Sequence, residues 1–231
     1  MAIKRYYATK DNTITNAFKS NLNTRGVSGN MGQSDILEVF SIYGQVSSST
    51  GLSSELSRVI IQFDTDAINT DRTAGNIPAS GNVNFFLKMY DAEHVQTTPK
   101  NYTLVISAIS QSWDEGLGLD MEEYSDEDAS NWLSASHEVK WVDDNGIDQP
   151  GGSYKTGSVG SLDEYVFTQT FDTGFENLEV DVSHLVEDWI KGPGSGGYTN
   201  YGFGVRLTGS DETATDSFYT KMFFARGSQF F

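Results

Sequence analysis

The feature that most constrains this chain is a recurring two-residue alternation in short runs. Tyr201, Phe203, Val205 and Leu207 alternate with Gly202, Gly204 and Arg206, and Leu178, Val180 and Val182 alternate with Glu179 and Asp181. Period two puts successive side chains on opposite faces, so both runs read as half-buried β-strands. Four further runs are rich in β-branched and aromatic residues: Ser34–Tyr43, Arg58–Phe63, Val83–Tyr90 and Thr103–Ser110, with another at Ser217–Ala225. Flexible or polar stretches separate them, namely the Ser/Gly stretch 44–54, the loop through Gly75-Asn-Ile-Pro78 and the turn at Pro99. One helix is expected. Ser183 can cap it, Leu185, Val186, Trp189 and Ile190 form its apolar face, and Gly192-Pro193 stops it.

Strands at short intervals with a single helix near 184–191 predict an all-β fold, a two-sheet jelly-roll-like β-sandwich. Composition agrees: 23 Gly supply turns, and aromatics at 13% can fill core layers. A chain of 231 residues is long enough for one such domain, assigned here to 35–231, with residues 1–34 as a basic segment joined to it. The long loop 142–161 carries turn chemistry at Asn145-Gly146, and no internal repeat is visible. Without Cys, disulfides and thiolate zinc sites play no part. The start MAIKRYYATKDNT lacks the apolar core of a secretion signal, and no run reaches the ~18 apolar residues of a membrane span.

A net charge of −17 argues against binding nucleic acid through its phosphates. The charge is uneven. Residues 1–34 hold Lys4, Arg5, Lys10, Lys19 and Arg25 against Asp11 alone, whereas eight carboxylates lie between Asp114 and Asp128 with no Lys or Arg among them. Such a run repels itself, which favours a solvated path or a basic partner. Lys4, Arg5 and Lys10 are therefore candidate contacts to an acidic surface of a neighbouring subunit, and Glu122, Glu123 and Asp128 candidates for the complementary patch. Calcium is the one cofactor the run suggests, through Asp114, Glu115, Asp120 and Asp126. The EF-hand order is absent from both 111–132 and Asp143–Asp148.

Catalytic signatures are missing. There is no G-x-S-x-G or H-E-x-x-H, and His94, His137 and His184 lack ligand spacing. Gly192–Gly197 matches G-x-G-x-x-G but follows a helix instead of joining a strand to one, so it reads as a turn. Of the four tryptophans, Trp189 belongs to an apolar helix face and Trp113 ends a strand. Trp132 and Trp141 are the candidates for stacking on a sugar if exposed, and are core residues otherwise.

The order of motifs resembles the DNRLRE family of β-sandwich modules, which is also grouped with carbohydrate-binding modules. The matching pieces are Asp11-Asn-Thr-Ile14, Ser57-Arg-Val-Ile-Ile-Gln-Phe-Asp64, Ser112-Trp-Asp-Glu-Gly116, Ser130-Asn-Trp132, Val139-Lys-Trp141, Leu178–Trp189 and Asn200-Tyr-Gly-Phe203. The start MAIKRYYATKDNTITNAFK, the stretch SDILEVFSIYGQ and the ending FYTKMFFARGSQFF are similar to structural proteins of tailed bacteriophages, marine and cyanobacterial ones in particular. The resemblance implies a virion component made in the host cytoplasm: a neck, tail, fibre or capsid-attached protein, non-enzymatic, contacting other virion proteins and copies of itself. Family members finish with a further strand, so it implies either a continuation past Phe231 or an end packed into a partner. Phe223, Phe224, Phe230 and Phe231 are the candidate contacts there. The alternative reading is a carbohydrate-binding module that attaches to a host glycan.

Overall fold

The computed structural model describes residues 3–93, 99–123, 126–155, 165–216 and 218–229. The chain is all-β and sandwich-like, with 38% of residues in strands and 12% in helices. Its strands are β1 (Ala8–Thr15), β2 (Ile36–Ser48), β3 (Gly51–Phe63), β4 (Phe86–Met89), β5 (Tyr102–Ala108), β6 (Ser134–Ser136), β7 (Val139–Lys140), β8 (Val166–Phe171), β9 (Leu178–Asp181), β10 (Phe203–Leu207) and β11 (Phe218–Phe224). Helices α1 (Thr65–Thr73), α2 (Ser183–Lys191) and α3 (Gly209–Glu212) interrupt them. The main sheet has seven antiparallel strands in the order β11-β2-β3-β10-β5-β8, with β1 added on β3. β4 pairs with β9, and β6 with β7, as separate two-stranded sheets.

The first core lies between one face of the main sheet and a second layer made of the β4–β9 ribbon, α1 and α2. Leu37, Val39, Val59, Ile61, Leu104, Ile106, Phe203, Val205 and Phe223 meet Leu87, Met89, Leu178, Leu185, Trp189 and Ile68. The expected amphipathic helix supplies this layer: Leu185, Val186 and Trp189 are buried, and Trp189 meets Phe203 edge-on at 4.7 Å. An Arg72–Glu187 pair, with both guanidinium contacts at 2.7–2.9 Å, joins α1 to α2.

Four local expectations are revised. The polar stretch 44–54 is the arm of a long hairpin, in which Ser47 pairs with Leu52 and Ser48 with Gly51. A backbone ladder needs no buried face, so the apolar signal fades before the strands end. The loop after Phe63 contains α1, whose single buried residue is Ile68 and whose N-terminus is capped by Asp64. Ser183 does not cap α2. Its hydroxyl donates to Asp181 Oδ1 at 2.6 Å and accepts from Phe85 N at 2.7 Å, while Asp181 Oδ1 accepts from Ser183 N. The basic N-terminal segment is also part of the sheet, since β1 pairs with β3 from Ala8↔Phe63 to Thr15↔Ser57. Among the described residues no helix is long and apolar enough to cross a membrane.

Candidate functional site

The run Val59-Ile60-Ile61 is buried throughout, so β3 is apolar on both faces and the sheet's outer side also needs a cover. Residues 110–154 supply it. Trp113, Trp132 and Trp141 pack with Ala135 over Ile14, Ile60 and Ile109 to form a second core. Trp113 Nε1 donates to Tyr201 O and Trp141 Nε1 to Asn131 O, both at 2.8 Å. Each buried indole takes on the order of 200 Å² out of water, worth ~5 kcal/mol of transfer free energy. This corrects the reading of Trp132 and Trp141 as sugar platforms. They are 7% and 0% exposed, because the apolar outer face of the sheet consumes their rings.

The first half of the acidic run is bolted to the N-terminal strand of its own chain. Glu115 accepts from Asp11 N at 2.7 Å and from the Arg226 guanidinium at 3.1 and 2.5 Å, while Arg226 N donates to Asp11 Oδ2 at 2.7 Å. Lys10 Nζ donates to Trp113 O at 2.9 Å. Asn30 donates to Glu115 O and Ser130 O and accepts from Gly32 N and Gly118 N, and Asn12 donates to Ser130 and accepts from Met31 N. Burial pushes the Asp11 carboxyl up to about 6, with the Glu115 charge adding to it and Arg226 opposing it. Gly116 has φ +82°, and a Cβ there would lie 2.6 Å from both Ala129 Cβ and the Asn30 amide, so the turn admits only glycine.

The later acids hold the loop's own backbone. Asp120 Oδ1 accepts from Glu122 N and Glu123 N, and Asp126 accepts from Leu117 N and Asp128 N. Glu122 accepts from Ser20 N, and its carbonyl from Lys19 Nζ. The N-terminal segment and the acidic run thus touch within one chain, through hydrogen bonds that each involve a backbone group. Among the described residues, no three Asp, Glu or His side chains are grouped as they would be to hold a metal ion. His137 pairs with Asp128 at 2.6 Å and His184 with Asp188 at 3.5 Å; His94 lies outside the described residues.

Of the other contact candidates, Lys4 pairs with Asp71, and Arg5, Glu122, Glu123 and Asp128 are exposed. Phe224 is half-buried, and Phe230 and Phe231 lie outside the described residues. Phe223 is corrected: it is fully buried, because it faces the first core opposite Leu37 on β2. The sequence reading missed one cluster altogether. Arg58 makes two hydrogen bonds to Glu212 at 2.7 and 2.8 Å and a third to Gly151 O, between the rings of Trp132 at 5.2 Å and Tyr154 at 5.7 Å. An Arg beside a run of β-branched residues was the available signal, since an inward guanidinium demands a carboxylate and flat neighbours.

Two surface features of the described residues bear on function. The cap segment exposes Leu117, Leu119, Leu133, Val139 and Ile147, the first by 78% and the last by 60%. Leu133, Val139 and Ile147 share one small β-meander, since Trp141 N bonds Leu133 O and Asp143 N bonds Ile147 O. Exposed Asp114, Glu123, Asp128, Asp144 and Asp148 lie in the same segment. The second feature is a recess of about 180 Å³ beside α2, lined by Tyr165, Trp189, Tyr198, Tyr201, Lys155 and Ser110. Comparison with family models, curated proteins and solved structures finds no match, so the class of protein is fixed by the fold alone: an all-β sandwich with a tryptophan-filled cap.

Proposed function

We propose that this chain is a non-enzymatic structural protein of a tailed-bacteriophage particle, working through protein–protein interfaces as one of several copies. The virion setting comes from the resemblance of its termini and of SDILEVFSIYGQ to phage structural proteins. The observation that carries the interface reading is the cap segment, where five exposed apolar side chains stand among acids on a scaffold fixed by a second core. Apolar groups rimmed by charge are the composition of a docking face, and its acidity selects a partner with a basic rim. Native mass spectrometry of the isolated chain and of a Leu133→Glu/Ile147→Glu variant tests this, together with the chain's position in a particle reconstruction. Loss of assembly or of particle incorporation, with circular dichroism unchanged, supports the reading. Incorporation at the wild-type level removes this surface from it.

The recess beside α2 favours a second reading, a carbohydrate-binding module. Tyr198 meets Tyr165 edge-on at 4.9 Å and is 39% exposed, with Lys155 and Ser110 as polar neighbours. Aromatic faces beside hydrogen-bonding groups suit a sugar ring. Binding on a glycan array that is lost in Tyr198→Ala would favour it over the structural role.

A further inference from the structure

One pair of opposite charges sits inside the first core, where neither packing nor the sheet ladder calls for it. The Lys221 side chain, on β11, is 1% exposed, and that of Asp91, two residues past β4, is 11% exposed. Lys221 Nζ donates to Asp91 Oδ1 and, at 2.9 Å each, to the backbone oxygens of Gly174 and Glu176. The rings of Phe171 and Phe223 flank it at 5.2 and 5.1 Å. Burial lowers the ammonium's pKa, with Asp91 and Glu176 pulling the other way. The backbone fixes both partners: Asp91 bridges Phe223, Ala92 N donates to Met222 O, and Phe224 N donates to Tyr90 O at 3.0 Å. Lys and Asp are thus held together by β11 and the segment after β4, largely away from water, in an aromatic setting.

We propose that Lys221 and Asp91 condense to an intramolecular amide, a covalent tie between the segment after β4 and the edge strand β11. A proton first passes from the ammonium to the carboxylate, leaving a neutral amine and a carboxylic acid. The nitrogen lone pair adds to the carboxyl carbon, so a C–N bond forms. One C–O bond then breaks, and the hydroxyl departs as water with a proton from the nitrogen. Nothing is oxidised or reduced, and no co-reactant is consumed. Tyr102 stacks on Phe171 at 5.1 Å, and its buried hydroxyl has no hydrogen-bond partner among the described residues.

Two effects drive the step forward. Groups held in contact react at effective concentrations far above those in solution. The amide also abolishes a buried ion pair, whose desolvation opposes folding. The remaining N–H keeps a backbone carbonyl as acceptor. This inference rests on the Lys221–Asp91 geometry and is independent of the virion reading.

The test is the intact mass of the full chain, denatured, after allowance for removal of the initiator Met. The expected result is a mass lower than the sequence mass by one water, with a branched tryptic peptide joining the Asp91 and Lys221 segments and no cleavage after Lys221. Lys221→Met and Asp91→Ala should each return to the full sequence mass. Should either variant fail to fold, the wild-type mass and peptide map still decide. A folded wild-type chain at full sequence mass, cleaved normally after Lys221, would overturn the proposal and leave an ion pair.

Discussion

The two faces of the main sheet are covered in different ways. Under the β4–β9 ribbon and α2, aliphatic and Phe side chains interdigitate, and the buried Lys221–Asp91 pair interrupts them. Under the cap, three indoles do most of the filling, and the surrounding polar groups (Asp11, Asn12, Asn30, Glu115 and the Arg58–Glu212 pair) are satisfied one by one. The first cover is built from regular elements whose backbones bond within themselves. The second is mostly irregular chain, so side-chain amides and carboxylates must satisfy its peptide groups. A core roofed by loops therefore trades apolar area for specific hydrogen bonds, and it should fail by a different route.

Substitutions that cut each cover at its centre sharpen the contrast. Phe203→Ala opens a cavity against Trp189 and should cost about 3–5 kcal/mol in urea unfolding, with one cooperative transition. Glu212→Gln leaves the Arg58 guanidinium without its carboxylate on the cap side and should cost about 3 kcal/mol; an unchanged midpoint would mean that water reaches Arg58. Asn30→Ala removes the donors and acceptor that fix Glu115 O, Ser130 O, Gly32 N and Gly118 N. About 2 kcal/mol should go, with amide exchange rising in 114–135 before it rises in β5.

Acidity offers a gentler probe of the cap. The folded-state pKa of Asp11 lies near 6, above the ~3.9 of an unfolded chain, so folding binds its proton more tightly. Its contribution is fully present below about pH 4 and is lost as pH rises through about 6. Asp11→Asn should therefore gain up to about 2–3 kcal/mol relative to wild type between pH 4 and pH 7, read from paired denaturation curves. An equal difference at both pH values would place the Asp11 carboxyl in solvent. The smallest effect belongs to the exposed His137–Asp128 pair, where His137→Ala should change stability by less than about 1 kcal/mol.

Strand patterning was readable where one face meets the core and the other meets solvent, as in 178–182. It failed where pairing continues without burial, as in the 44–54 arm, and where a strand is polar, as in Asp11-Asn-Thr. Asp11, Asn12 and Thr13 are buried only because the cap folds back over them, a contact between residues about a hundred positions apart. The acidic run was visible by its density, but its tether was not, since Arg226 lies in an unremarkable turn after β11. Lys221 was legible in principle. It stands two residues before Phe223 on the same strand face, and alternation places it inward.

The most direct test of the two-cover account is amide hydrogen exchange on the full chain. The account predicts that the amides of Asp11, Asp114 and Ser130, bonded to Glu115, Ala135 O and Asp114 O, exchange with free energies close to those of β3. Fast exchange across 113–135 beside a fully protected main sheet would contradict it, and would make the cap a surface loop in place of a second core.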